Sequence, residues 1–173
     1  MGPVTFNGLP AHVLLVHFVV VLVPLAALLL MVAVCWPAAQ RRLGVVSPLA
    51  AFVALVCVPL TTHSGEWLED QLPHDPMIRT HAHLGDDLLV WSLATFLLAT
   101  AWWAIRSETA RAALSSRVPV AAGLAGRRAV VAVVAVLSVV VAAGSMVQVY
   151  RIGDSGAKAA WHDQISATAP NGR

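Results

Sequence analysis

The sequence contains few charged residues, and this scarcity limits what kind of protein it can be. Charged residues make up 12% of the 173 residues, whereas 58% are hydrophobic. Soluble domains have about 25% charged and ~45–50% apolar residues, so the composition excludes an ordinary soluble domain and indicates a membrane protein. The formal net charge is only +2. We therefore expect no nucleic-acid partner, because such a partner requires a concentrated basic surface.

The sequence also lacks the motifs of several common sites. Its only cysteines, Cys35 and Cys57, both fall within apolar runs, which argues against a disulfide framework. It contains no Cys-x-x-Cys-His haem-attachment motif, no His-Glu-x-x-His zinc motif and no glycine-rich phosphate loop. Residues 1–12 contain no Lys or Arg, so we do not expect a cleavable signal peptide.

What the sequence does contain is four long apolar runs. A helix needs ~20 residues to cross the hydrocarbon core of a bilayer, which is ~30 Å thick. The runs extend over residues 13–36, 46–68, 83–105 and 129–150. They predict an all-α, integral membrane four-helix bundle within residues 1–150. Residues 151–173 are expected to form a tail that contains a short amphipathic helix, capped by Asp154 or Ser155, and a disordered end.

The basic residues predict the orientation of this bundle. The first and third connections contain the arginines Arg41, Arg42, Arg106, Arg111, Arg117, Arg127 and Arg128. The second connection is acidic and contains a single arginine. By the positive-inside rule the first and third connections are cytoplasmic. We therefore expect a multi-pass protein of the cytoplasmic (plasma) membrane with both termini outside, and with the tail helix on the outer face.

All seven histidines fall on the outer side of this topology. His12 and His17 lie at the start of the first span, His63 lies at the end of the second, and His81 and His83 lie at the start of the third. All acidic residues but one are on the same side. Polar and ionisable groups within a membrane are costly and are often functional. The distribution therefore predicts an outward-facing site of histidines and acids.

Three interpretations of this cluster remain open. In the first, two histidines from facing helices hold haem b. His17 would pair with His63 or His83, because these residues are predicted to lie at similar depths in the membrane. In the second, histidines and carboxylates bind a transition-metal ion such as zinc, iron or copper. In the third, the cluster is a hydrogen-bond network between helix ends, and the protein is a non-catalytic membrane scaffold or subunit. Asp86 and Asp87 would then be explained by the dipole at a helix N-terminus.

Four stretches of the chain carry a resemblance to a known family. They read GLPAHVLLVHFVVVLVPLAALL, SGEWLE, HAHLGDDLLVWS and VYRIGDSGAKAAW. Together they resemble the bacterial membrane family filed as domain of unknown function 2231, in its actinobacterial form. The resemblance implies a four-helix membrane protein and no assigned activity. The family pattern, as it matches here, covers His12, His17, Glu66, His81, Gly85, Asp86, Arg151, Asp154, Ser155 and Lys158.

The resemblance favours a particular set of site residues. It implies a site of His12, His17, His81 and Glu66 over which the tail closes, whereas His63 and His83 fall outside the family pattern. The full set of candidate ligands for haem or metal is His17, His12, His81, Glu66, His63 and His83, with Asp86, Arg151, Asp154, Ser155 and Lys158 as supporting polar residues. If haem b or a transition metal is bound, we expect membrane electron transfer. Quinone or respiratory-chain proteins would be the partners, in addition to the lipid bilayer.

Overall fold

In a computed structural model, residues 4–117 and 127–168 are described, and they are almost entirely helical. The described elements are β1 (Thr5–Phe6), β2 (Leu9–Pro10), α1 (Ala11–Cys35), α2 (Pro37–Leu43), α3 (Val46–Glu69), α4 (Pro76–Arg106), α5 (Glu108–Arg117) and α6 (Arg128–Thr168). The two strands form a small antiparallel hairpin just before α1. Four of the helices, α1, α3, α4 and α6, are long and apolar enough to cross a membrane. The predicted all-α four-helix membrane bundle is therefore confirmed.

The four long helices form a ring in which α1 packs on α3, α3 on α4, α4 on α6 and α6 on α1. The interior contains many small residues, including Ala27, Ala54 and Ala142, each of which is at most 2% exposed. Small residues allow helix backbones to approach closely, which is how helices associate when lipid provides no hydrophobic driving force. The outward surface is apolar, and its exposed side chains include Val90 and Val136. Such an exterior suits a bilayer rather than water.

Buried polar side chains join the helices at several places. The hydroxyl groups of Thr95 on α4 and Ser145 on α6 are 3.1 Å apart and form a hydrogen bond. An unsatisfied polar group in hydrocarbon costs several kcal/mol, so such bonds fix the position of one helix against another. Two further bonds of this kind are donated by Gln148 Nε2 to the Leu84 carbonyl oxygen at 2.8 Å and by Trp102 Nε1 to the Ala33 carbonyl oxygen at 3.1 Å.

Helix α4 begins earlier than the apolar run predicts. The Asp75 side chain accepts a hydrogen bond from the Met77 amide at 2.8 Å and caps the helix, and Pro76 occupies its first turn. Asp86 and Asp87 therefore lie about three turns inside α4, and the first turn of this helix contains no acidic residue. The interpretation that Asp86 and Asp87 interact with the dipole at a helix N-terminus is therefore wrong, because α4 begins well before the apolar run.

The tail does not form a separate helix. Helix α6 continues without a break over Arg128–Thr168, so the short helix predicted for the tail is its last part. Asp154 and Ser155 lie inside α6 rather than at a cap, and Lys158 Nζ pairs with the Asp154 carboxylate at 2.7 Å, an i,i+4 pair that supports a continuous helix. Of the end predicted to be disordered, the residues up to Thr168 are helical, and residues 169–173 lie outside the described part of the chain.

Candidate functional site

Two histidines face each other at one end of the bundle. His12 lies in the first turn of α1 and His81 lies in the second turn of α4. Their ring centroids are 6.3 Å apart and their ring planes are nearly perpendicular, at 88°. Both side chains are partly buried. We call His12 and His81 the histidine pair, and we call the end at which α1 begins, α3 ends and α4 begins the histidine end of the bundle.

The His12 ring is held by the backbone of α3. Its Nδ1 atom lies 3.0 Å from the carbonyl oxygen of Thr61. A carbonyl oxygen can only accept, so Nδ1 carries the hydrogen of this bond. The ring can reach this position because residue 65 is a glycine: a Cβ on Gly65 would lie 2.9 Å from His12 Nδ1, too close for an ordinary contact. Gly65 therefore provides the space in which the His12 ring lies against α3.

The His81 ring is held in the same way by α6. Its Nδ1 atom lies 3.1 Å from both the Ile152 carbonyl oxygen and the Ser155 hydroxyl oxygen. Ser155 donates its own hydrogen to the Ile152 carbonyl at 2.9 Å, which leaves its oxygen free to accept from His81. A Cβ on Gly156 would lie 2.9 Å from His81 Cε1, so this glycine again provides the space for the ring. The last part of α6 thus forms one wall of the site.

These bonds fix the chemical form of the histidine pair. In a neutral imidazole one nitrogen donates and the other accepts, and a hydrogen bond to one nitrogen determines the role of the other. Because both Nδ1 atoms donate to backbone carbonyl oxygens, the neutral rings keep a lone pair on Nε2. The site therefore contains two imidazole groups with the same tautomer, each able to accept a hydrogen bond or to bind a metal.

A pocket of about 620 Å³ opens beside the histidine pair. Its volume lies within the ~300–1,000 Å³ typical of small-molecule sites. The lining combines the histidine pair with acids, one arginine and an apolar wall; these residues include Glu66, Glu69, Asp86, Arg79, Leu68, Leu72 and Ile78. The chemistry of the lining suits a molecule that is largely apolar with a few polar groups.

The other candidate ligands lie elsewhere or at the rim. His17 is exposed on the surface of α1, where its Nδ1 atom lies 2.7 Å from the carbonyl oxygen of Val13 one turn earlier, and it is not part of the pocket lining. His63 Nδ1 lies 3.6 Å from Glu66 Oε2, and both side chains are exposed on α3. Glu66 and His83 are exposed but line the pocket. The structure thus brings His12, His81, Glu66 and His83 to one pocket.

The supporting polar residues divide into two groups. Ser155 contacts His81 directly, and Asp86 lines the pocket. The others interact along α6: the Arg151 guanidinium is 3.4 Å from the Gln148 side-chain oxygen, and the exposed Lys158 and Asp154 pair with each other. Sequence reasoning did not identify the Thr61 and Ile152 carbonyl groups, because a backbone acceptor has no signature in a sequence. Gly65 and Gly156 were visible within the family-like stretches, but they were not connected to the histidines.

The site offers few ligands for a metal ion bound by side chains alone. Within residues 4–117 and 127–168 there is no group of three or more His, Cys, Asp or Glu side chains that could hold a metal ion. Zinc sites use at least three protein ligands. Haem differs because the porphyrin occupies most positions around the iron, so one or two histidines are enough. The histidine pair could therefore hold a haem iron more readily than a bare ion.

Comparison with known proteins identifies a family but no characterised relative. The family model of DUF2231, described as a predicted membrane protein, matches residues 8–169, which is most of the chain. This match confirms the resemblance seen in the sequence and the assignment to a membrane. No curated protein and no solved structure matches the chain.

Proposed function

We propose that this chain, which belongs to the DUF2231 family of predicted membrane proteins, binds haem b at the histidine end and transfers electrons there. The main observation in support is that His12 and His81 line one pocket while each directs Nδ1 to a backbone carbonyl oxygen. Histidines that bind metals usually donate their other ring N–H to a carbonyl or carboxylate, which fixes the tautomer and the ring orientation. Both rings are therefore held in the tautomer in which Nε2 could bind the iron of a haem.

The rest of the pocket supports haem over a bare ion. Two imidazoles are sufficient for haem, whereas the described residues provide no group of three metal ligands. Leu68 and Ile78 give the pocket an apolar wall for a flat ring, and Arg79 is available to pair with a carboxylate of the ligand. When bound, haem supplies one-electron transfer; the protein's part is to hold, orient and partly enclose it. Quinone, which is lipid-soluble, or respiratory-chain proteins are the partners we propose.

The absorption spectrum of the purified wild-type protein tests this proposal. We expect protein made in cells supplied with haem precursors and metal salts to contain stoichiometric haem b with the spectrum of bis-imidazole ligation, and to be reduced and reoxidised reversibly. Metal analysis of the same sample should find iron in proportion to haem and no other stoichiometric metal. Wild-type protein with neither haem nor stoichiometric metal would rule out the cofactor site.

A scaffold role is the second candidate, and one observation favours it. The same two bonds that orient the rings also join helices: His12 joins α1 to α3, and His81 joins α4 to α6. If these bonds serve only to hold helix ends together, the protein is a non-catalytic membrane subunit. The spectrum separates the two candidates, since a scaffold has no cofactor to detect.

We also propose that the histidine end faces the outside of the plasma membrane. The arginines Arg41, Arg42 and Arg106 lie at the opposite end, where the Arg106 guanidinium lies 5.1 Å from the centre of the Trp102 ring. An excess of arginines in short connections marks the cytoplasmic side of a membrane protein. Reporter fusions after Arg42 and Arg111 should therefore report the cytoplasm, and fusions after Asp70 and Arg173 the outside. A cytoplasmic signal from the fusion at Arg173 would reverse the orientation of the site.

A further inference from the structure

A second, smaller cavity lies between the histidine pair and the centre of the bundle. Its volume is about 40 Å³. All four long helices contribute to its wall; examples are Val19 from α1, Val58 from α3, Leu88 from α4 and Ile152 from α6. These four side chains are at most 8% exposed. The histidine pair, Thr62 and Gly85 line both this cavity and the larger pocket, so the two spaces adjoin at these residues.

The polar side chains in the wall of this cavity turn almost no polar surface towards it. The hydroxyl group of Thr61 donates to the Cys57 carbonyl oxygen at 2.8 Å, and that of Thr62 donates to the Pro59 carbonyl oxygen at 3.3 Å. The Nδ1 atoms of the histidine pair donate to carbonyl oxygens as described above. The rest of the wall is hydrocarbon from Val, Leu and Ile side chains. The wall therefore provides few hydrogen-bond partners for a molecule inside it.

The volume of the cavity and the number of hydrogen-bond partners in its wall together decide what it can hold. A volume of roughly 10–15 Å³ suffices for one water molecule, but a buried water also needs about two to four polar partners. The cavity exceeds this volume, at about 40 Å³, but does not offer the partners. Cavities with apolar walls stay dry and bind apolar guests such as xenon. Haem and quinone are far too large for this space.

We propose that this cavity is a binding site for a small apolar molecule of diatomic size, of which dioxygen is the natural example. Such molecules dissolve in the bilayer that surrounds the bundle, so they can reach the site from lipid. A molecule in the cavity contacts the same His12 and His81 rings that line the larger pocket. The proposal does not depend on haem binding, since it follows from the size and the wall of the cavity alone.

Gly85 allows the cavity to be filled without disturbing the fold. It lies in the wall that the cavity shares with the larger pocket, and a Cβ at this position would meet only the Thr62 Cγ2 atom, at an ordinary contact distance of 3.9 Å. Gly85→Ala therefore adds a methyl group at this shared wall, and alanine also favours the helix. Gly153→Ala is the matched control, because it makes the same change on α6. A Cβ at this position meets nothing within 4 Å, and Gly153 lines neither the cavity nor the larger pocket.

Xenon is the probe for this site. In the full chain, with labelled Val and Leu methyl groups in detergent, we expect the methyl shifts of Val58 and Leu88 to saturate as xenon pressure rises. The methyl groups of Val136, which is 63% exposed on the outer surface, should respond only linearly, through xenon dissolved in the detergent. Gly85→Ala should reduce the saturable shift several-fold, and Gly153→Ala should leave it unchanged. Dissolved dioxygen, which is paramagnetic, should broaden the same two methyl signals in the wild type.

Two results would overturn the proposal. One is a linear response of Val58 and Leu88 that matches Val136 in the wild type, which would mean that no cavity binds xenon there. The other is a saturable shift of the same size in Gly85→Ala and Gly153→Ala, which would place the xenon elsewhere. Both results are independent of the haem spectrum, so failure of this proposal and failure of the proposed function can be told apart.

Discussion

Replacing Gly144 with alanine is expected to destabilise the bundle by roughly 1–3 kcal/mol, the usual cost of overpacking a core. Gly144 on α6 lies against the indole ring of Trp91 on α4, and a Cβ at this position would overlap the ring carbons. Trp91 is partly buried and packed against the core, so moving its ring would disturb that packing. Glycine to alanine normally stabilises a helix by up to ~1 kcal/mol, but overlap with a large, rigid ring outweighs that gain. Thermal unfolding in detergent, followed by circular dichroism, would show a lower midpoint.

Gly153→Ala on the same helix is again the control, because it brings the same helical propensity with nothing within 4 Å of the added Cβ. It should be as stable as the wild type or more so. Trp91→Leu should make Gly144→Ala less costly, since the smaller side chain leaves room for the methyl group, and the double-mutant cycle would measure this coupling. Equal stability of Gly144→Ala and Gly153→Ala would mean that α4 and α6 do not approach each other at Trp91.

The fold could be predicted because the bilayer sets the length of each span. Four apolar runs of about the required ~20 residues allow little else than four helices. The helix ends were harder to predict, because a search for apolar residues does not detect a polar extension. Asp75 and Pro76 are a recognisable helix start, but six residues lie between this start and the apolar run at 83–105. Helix α6 similarly continues to Thr168, well past the run that ends at 150.

For the site, the sequence could predict only at which end of the bundle it lies. The asymmetric distribution placed the histidines at one end, but it did not show which of them face inwards. An apolar helix has no polar face to reveal its rotation about its own axis. Residues in a helix are about 100° apart, so His12 and His17 point about 140° apart and cannot both face the interior. This spacing could have excluded one of the two, but choosing between them required the neighbouring helices.

His12→Ala and His81→Ala are each expected to abolish bound haem, whereas His17→Ala should retain it. His12 and His81 line the pocket with their Nδ1 atoms held by carbonyl oxygens, whereas His17 is exposed and its Nδ1 atom faces the Val13 carbonyl of its own helix. His63→Ala, on the exposed face of α3, is a second control and should also retain haem. Visible spectra and iron content of the four purified variants would measure these outcomes.

A loss of haem through misfolding must be distinguished from the loss of a ligand. Removing either member of the histidine pair removes one hydrogen bond, but the Thr61 carbonyl oxygen still accepts from Ser64 and the Ile152 carbonyl oxygen still accepts from Ser155. The cost is therefore that of one net hydrogen bond, ~0.5–1.5 kcal/mol, and each variant should still insert and remain monodisperse. Added imidazole should restore haem binding to His12→Ala and His81→Ala if the lost group is a ligand, because a free imidazole can occupy the vacated space. A purely structural role would not respond to imidazole in this way. Haem that persists in the His12→Ala, His81→Ala double variant would show that the ligands lie elsewhere.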